Sequence, residues 1–568
     1  MAMEEDVMWK RILIGLVILI IGAGVVAFLN RKAIIFHMVQ RAAHMEVAEN
    51  RPIEWTQGSA APADGPERPP NIVFILADDL GMNDVSTYGG GVAGGAVPTP
   101  NIDRLAAGGA IFTNGYSGTG TCAPSRAMLM TGRYPSRTGF EFTPTPPGMM
   151  QIVGMFMEGR QEGSGLPRAT VNLDAPEAVV EFEDMGLPPE EFTIAEALKT
   201  KGYRNIHIGK WHLGRTEHFR PVAQGFDESL LMSSGLYLPE NDPDVVNAKL
   251  DFDPIDRFLW GILQYAAEFN RAGEPYVPDR FEPGGYLTDY WTDEALKAIE
   301  ANRNNPFFLY LAHWGPHTPL QATREDYEAV GDIEPHRLRV YAAMIRAVDR
   351  SVGRVMDKLE AEGLADNTII VFSSDNGAAG YLGLPDVNEP YRGWKITLFE
   401  GGIRVPTFMK WPGKIAPGTV IDEPVAHIDV MPTLAAAAGV TLPDDLVIDG
   451  RNILPVAMGQ AQTVQRENDA IFWSSGFYKV VRAGDWKLHL NERQDRRWLF
   501  NLADDPQEQV NLADEEPAKL AELEALIRSH WADARPPLYP HQSENPICID
   551  QTIIDRPCRP DNHIIWPN

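Results

Sequence analysis

Cysteine is scarce in this sequence, which carries Cys122, Cys548 and Cys558 among 568 residues. The last two stand close together in a Pro- and Asn-rich tail, where a disulfide closes a short loop and fits an oxidising compartment. That pairing leaves Cys122 alone, and an unpaired cysteine inside a dense motif asks for a chemical explanation. Basic charge is short as well: 50 Lys and Arg face 78 Asp and Glu, a formal net charge of −28. A nucleic-acid partner is excluded on that ground, because a polyanion needs a basic face. Any anionic substrate must be drawn in by local cations or a metal against the mean field, and the acidity as such reads as solubility. No internal repeat is present. Hydrophobic content of 44% and charged content of 23% are those of a folded chain and exclude global disorder.

At this length one core is not enough, so a large domain plus a smaller one is expected. Residues 12–29 (ILIGLVILIIGAGVVAFL) form an uncharged apolar run behind Lys10 and Arg11. As a helix they reach roughly 27 Å, enough to cross a bilayer. A cleaved signal peptide is the rival reading, with Gly22-Ala23-Gly24 as the cut. The length of the run and its lack of an A-x-A site favour an uncleaved membrane anchor within residues 1–45. Arg31, Lys32 and Arg41 beyond the span leave its orientation open. Residues 46–70, rich in Pro, Ala and charge without periodicity, read as a linker.

From Asn71 a single grammar repeats: a short apolar run, then a polar cluster. NIVFILA (71–77) runs into Asp78-Asp79, and NIHIG (205–209) into Lys210-Trp211-His212. FFLYLA (307–312) runs into His313 and His317, and NTIIVFSS (367–374) into Asp375-Asn376. Apolar runs without alternation are strands buried on both faces, so the spacing predicts an α/β domain with a mostly parallel sheet between helices. Ligands of such sheets bind beyond the carboxyl ends of the strands, where all four clusters fall. Thr193-Ile194-Ala195-Glu196 has the form of a capping box, and apolar residues from Leu338 to Leu359 recur at helical spacing ahead of strand 367–374. After about residue 430, runs at 470–475, 477–483, 485–490 and 497–502 predict a small antiparallel sheet, followed by a helix over 516–532. The expected units are a catalytic domain at 71–430, a subdomain at 431–535 and a tail at 536–568. Stretches 141–190 and 236–285 read as loop-rich insertions.

In Thr121-Cys122-Ala123-Pro124-Ser125-Arg126, Pro124 suits a first helical turn and Gly132 its end. Cys122 therefore sits at a helix N-terminus, which favours an anion. On these grounds alone a thiolate nucleophile and a buried structural cysteine both stay open. The run CAPSRAMLMTGR (122–133) resembles the C-x-P-S-R-x-x-L-x-T-G-R signature of the type I, formylglycine-dependent sulfatases. GKWHLG (209–214), PHTPL (316–320), the second metal block NTIIVFSSDNG, YRGWKITLFEGGIRVP (391–406) and the C-terminal LFNLADDPQEQVNLA follow in that family's order, from about residue 70 to 535.

The resemblance implies an alkaline-phosphatase-like sulfatase fold and hydrolysis of sulfate esters outside the cytoplasm. It implies that a maturation enzyme oxidises Cys122 to formylglycine (3-oxoalanine), whose hydrated gem-diol attacks sulfur and then expels sulfate as the aldehyde re-forms. Asp78, Asp79, Asp375, Asn376 and position 122 are the implied metal ligands. Hard oxygen donors suit Ca²⁺ and are poor for zinc, while Mg²⁺ shares the preference. Asp375 is expected to bridge metal and diol, Arg126 and Lys210 to hold the diol, and His212 to act as general base. Lys395 and His317 are expected to bind the sulfate oxygens and assist the leaving oxygen, with His317 preferred over His313. Ser233 and Ser234 stand where relatives place a further polar contact. The partners implied are a sulfated small molecule or glycan and the maturation enzyme. A phosphonate or phosphate monoester hydrolase of the same superfamily is the alternative. A binding-only member is disfavoured by the full set of competent residues, and a zinc enzyme by the lack of a histidine-rich set.

Overall fold

The computed structural model describes the chain apart from residues 1–8, 10–12, 18, 20–21, 23–25, 27, 61–67, 147–148, 150–163, 172–179, 551–556 and 560. Ten strands form the main sheet: β1 (Asn71–Ala77), β2 (Ala110–Phe112), β3 (Arg204–Gly209), β4 (Glu228–Gly235), β5 (Tyr265–Arg271), β6 (Arg280–Phe281), β7 (Phe307–Ala312), β8 (Thr368–Ser374), β9 (Phe408–Lys410) and β10 (Thr419–Ile421). Their spatial order is β10-β2-β9-β8-β1-β7-β3-β4-β5-β6. The five central strands β8-β1-β7-β3-β4 are all parallel, and antiparallel strands flank them.

Side chains of β1 alternate between the two faces, and every one is buried. Val73, Ile75 and Ala77 join the apolar layer that holds Leu287–Ala301 and the long helix His336–Ala361. Ile72, Phe74 and Leu76 join the opposite layer, which holds α1 (Cys122–Thr131). Because both faces are covered, the central runs lack polar alternation, which is what the sequence pattern predicts. Thr193 caps the helix Ile194–Lys199 with the reciprocal bond from its own N–H to Glu196. Register places Ala77 beside Ser374, Leu76 beside Ala312, and Ala312 beside Gly209. The four polar clusters that follow these residues therefore emerge side by side at one edge of the sheet.

The second sheet is antiparallel: β11 (Ala470–Ser475), β12 (Tyr478–Ala483), β13 (Trp486–Asn491) and β14 (Arg496–Asn501). Helix α2 (Pro517–His530) covers one face through Leu523 and Ile527. The other face packs on Leu398, Phe399 and Ile403 of the catalytic domain. Strand β15 (Ser543–Cys548) pairs with β16 (His563–Pro567) on one side and with Thr170–Val171 on the other, and Cys548 and Cys558 form a disulfide.

Two expectations need correction. Residues 46–60 are no free linker: Ile53 and Trp55 are buried, Trp55 Nε1 donates to Glu294, and Thr56 donates to Glu228. Two apolar residues in a polar stretch are enough to strap it down. Within 236–285, β5 and β6 extend the main sheet, and Val245–Ala248 pairs with Leu320–Thr323. Much of 141–190 lies outside the described residues. Among the described residues no helix is long and apolar enough to cross a membrane; part of 12–29 lies outside them, and the expected anchor is left without support.

A fully buried charge cluster joins β13 of the second sheet to Glu400, at the head of the short helix Glu400–Ile403. Lys487 Nζ lies 2.7 Å from Glu400 and 3.0 Å from Glu508, while His489 Nε2 lies 2.9 Å from Glu508. Burial pushes His489 down to about 4 despite Glu508. As pH falls from about 6.5 to 4 the unfolded chain binds a proton that the folded state refuses, so stability declines by ~3 kcal/mol over that window. In His489→Gln the decline in denaturation midpoint over that window should be shallower. An unchanged slope would remove His489 from the acid response.

Candidate active site

Helix α1 is the axis of the site, and all ten of its residues are buried. Thr121 is its extended N-cap and Gly132 its left-handed C-cap, as the Pro124 and Gly132 spacing predicts. Cys122 lies in its first turn, with Sγ 3.6 Å from Asp78 Oδ1 and 3.9 Å from Asp79 Oδ1. One turn on, Arg126 is fully buried. Its Nε donates to Asp375 Oδ2 at 2.9 Å, its Nη2 to Asp78 Oδ2 at 3.1 Å, and its Nη1 to the Lys210 carbonyl at 2.9 Å. One guanidinium thus ties together the ends of β1, β8 and β3.

Lys210 Nζ lies 2.5 Å from Asp78 Oδ2 and sits over the Trp314 ring, itself stacked on His317. Lys395 Nζ lies 2.7 Å from Asp79. Three carboxylates (Asp78, Asp79 and Asp375) and three cations (Arg126, Lys210 and Lys395) therefore balance in the region around Cys122. Arrival of a divalent cation would turn that balance positive, which suits an anionic ester.

The low-dielectric setting moves these groups apart. Asp78 is raised to about 7 by burial and by the charge of Asp375. Burial also acts to raise Asp375, but Arg126, Lys210 and Lys395 outweigh it and hold it below its ordinary value. Burial, then Asp375, pushes the Cys122 thiol well up. His212 and His317 are both held neutral, first by burial and then by the neighbouring cations.

Asp78, Asp79, Cys122 and His317 offer ligand atoms all within 4.8 Å of one another. Asp375 stands outside that quartet, with Oδ2 turned to Arg126 and Oδ1 accepting the Asp79 N–H at 3.2 Å. Asn376 donates to Asp79 Oδ1 at 2.7 Å, while its own Oδ1 is buried with no hydrogen-bond partner among the described residues. An orphaned amide oxygen beside three carboxylates fits a hard cation. His317 donates from Nδ1 to the Thr318 carbonyl (2.6 Å), leaving Nε2 3.5 Å from Asp79 Oδ2. His212 likewise has a buried Nδ1 without a partner among the described residues. Both Asp79 (φ 62°) and His212 (φ 65°) occupy left-handed backbone, strain of the kind that clusters at functional sites.

His313 is not part of the cluster: it bonds Ser351 at 2.8 Å under the sheet. The Ser234 hydroxyl accepts the Gln264 N–H and Ser233 faces Glu268, so both serve the β4–β5 edge. Two participants escaped the sequence reading. Tyr381 directs its hydroxyl at Asp79 Oδ2 and Lys395 Nζ, each 3.3 Å away. His427 bridges Ser125 of α1 (3.2 Å) and Ser373 of β8 (3.0 Å), joining the elements that carry Cys122 and Asp375. Neither lies in a periodic pattern, and only the YLG and HID neighbourhoods of these two residues could have marked them.

Comparison with known proteins identifies the chain's relatives. The Sulfatase family profile matches residues 70–440, and the profile for the C-terminal part of N-sulphoglucosamine sulphohydrolase matches residues 392–532. The chain is 33% identical to N-acetylgalactosamine-6-sulfatase of Mus musculus over 436 residues, covering 75% of this chain and 73% of the relative. It is 30% identical to steryl-sulfatase of Mus musculus, with 84% of each covered. Among solved structures, Ps i-CgsB in complex with k-i-k-neocarrahexaose superposes with a TM-score of 0.66 at 30% identity, covering 83% of this chain and 95% of that one.

Proposed function

This chain belongs to the sulfatase family and is a sulfuric ester hydrolase, and from that premise we propose that it acts through formylglycine at position 122 beside a bound Ca²⁺. The observation that carries the proposal is the seating of Cys122 at the head of buried α1, within reach of three carboxylates and three cations. Asp78, Asp79, Asp375 and Asn376 would hold the cation, which supplies a hard Lewis acid and attracts an anionic ester. Formylglycine, once hydrated, supplies one hydroxyl to attack sulfur and a second whose deprotonation releases sulfate.

The residues of the chain do the rest. Arg126 orients the carboxylates and offsets their charge. Lys210 and Lys395 offer their ammonium groups to the sulfate oxygens, where charge develops. His212, neutral and with Nδ1 unengaged, takes up a proton at that atom. His317, its Nδ1–H committed to Thr318, holds Nε2 for the leaving oxygen; an arriving anion offsets the Lys395 and Lys210 charges that keep the ring neutral. Trp314 lies against the Lys210 ammonium and Tyr381 against that of Lys395, so the two rings help fix where these charges stand.

We assign the substrate to sulfate esters of sugars or small molecules, in keeping with the sugar and sterol named in its relatives. The Cys548–Cys558 disulfide supports an oxidising, extracytoplasmic compartment. Mass spectrometry of the peptide containing Cys122, from protein made alongside a maturation enzyme, should find the thiol replaced by an aldehyde. The same protein should hydrolyse an aryl sulfate ahead of the matching phosphate and phosphonate, and should lose that activity to a calcium chelator. Unmodified Cys122 in active protein would overturn the formylglycine assignment, and preference for the phosphonate would select the alternative hydrolase.

A further inference from the structure

The turn that presents Lys395 closes on itself, the Thr397 N–H donating to the Trp394 carbonyl (2.9 Å) and the Trp394 N–H to Thr397 Oγ1 (3.1 Å), and it is held from outside as well. Ile396, a β-branched residue, stands at φ 85°, a region such residues enter only when the surroundings force them. The Lys395 N–H donates to the Ala378 carbonyl (3.1 Å) and the Ile396 N–H to that of Gly120 (2.6 Å), both within the catalytic domain. A further set of restraints comes from the far end of the chain. Trp394 Nε1 donates to the carbonyl of Cys548 at 3.0 Å. Arg392 spreads its guanidinium over Asp550 (Nε, 2.8 Å), the Glu508 carbonyl (Nη1, 2.9 Å) and Asn562 Oδ1 (Nη2, 2.8 Å). The Trp394 ring meets Tyr381 edge-on at 6.4 Å, and Tyr381 in turn contacts Asp79 and Lys395. Two side chains therefore separate the tail from the site.

We propose that the C-terminal tail, gripping Arg392 and Trp394, is a positioning element for Lys395, and that the Cys548–Cys558 disulfide holds this grip in register. The inference rests on the role given to Lys395 above. Lys395 itself touches no residue of the tail among the contacts described, so the effect runs through the shape of the 392–397 turn. Arg392 and Trp394 are thus positioning residues. Their work is to keep an ammonium group where sulfate charge develops, and displacements of about 1 Å in such groups cost up to about a hundredfold in rate.

A double-mutant cycle on an aryl sulfate separates this role from general support of the fold. Lys395→Ala is measured first, and its loss of kcat/KM establishes the parent role. Trp394→Phe removes the bond to Cys548 together with part of the indole ring, and the Lys395→Ala background controls for the lost packing; Cys548→Ser with Cys558→Ser removes the disulfide. Each change should lower kcat/KM about tenfold when Lys395 is present and less than about twofold in the Lys395→Ala background. Equal losses in both backgrounds, or full activity in folded Trp394→Phe, would overturn the inference. If the cysteine pair does not fold, Trp394→Phe decides the matter alone. Wild-type rates in Lys395→Ala would instead strike the parent role, and because that variant carries no tail change the two failures are distinguishable.

Discussion

Cys122→Ala should retain the fold and lose turnover by roughly 10⁴- to 10⁶-fold, the scale seen when a covalent nucleophile is removed. The fold should survive because Sγ makes only long contacts to Asp78 and Asp79, and because alanine is accommodated in a helical first turn. Cys122→Ser sharpens the test. Serine keeps one hydroxyl, yet one hydroxyl cannot both carry the sulfur and re-form a carbonyl to expel it. Steady-state turnover in the serine variant should therefore be as low as in the alanine variant. Sustained turnover by either one, read as sulfate released per enzyme over many cycles, would sink the formylglycine assignment.

Arg126→Ala should lower unfolding free energy by about 3–5 kcal/mol as well as abolish activity, because it takes the ion-pair partner from buried Asp375 and leaves buried Asp78 with Lys210 alone. Asp78 and Asp375 share this guanidinium with no exposure to water, and Asp78 is already raised to about 7 with the arginine in place. Lysine should not rescue the site. A single ammonium cannot reach Asp375, Asp78 and the Lys210 carbonyl together, as the planar fork does. Urea denaturation at neutral pH reports the loss. An Arg126→Lys protein within about 1 kcal/mol of wild type would show the fork to be dispensable.

The parts of the site that were legible are those whose signal is local. Asp78-Asp79 and Asp375-Asn376 follow apolar runs that can only be buried parallel strands, and topology then forces their clusters to one edge. Cys122 and Arg126 sit one helical turn apart, so their common direction is also a local matter. Tyr381, His427, Arg392 and Trp394 gain their meaning from residues 54 to 302 positions away, such as Ser125 and Cys548. No window of sequence contains such a pair. The same reason explains the segment 46–60: its few apolar residues look insufficient for structure until the pockets that receive Ile53 and Trp55 are known. The edge strands β5 and β6 escaped because one is polar at its end and the other is two residues long.

The burial of α1 also constrains time. Cys122 is 3% exposed, and every residue from Ala123 to Thr131 is buried beneath the sheet. A maturation enzyme of the kind proposed above would find no exposed CAPSR segment on the folded domain. On that route, oxidation of Cys122 would belong to the interval between emergence of this segment during synthesis and closure of β7 and β8, which arrive about two hundred residues later. Translation speed over that stretch, rather than the affinity of the finished protein, then sets how large a share of the molecules becomes competent.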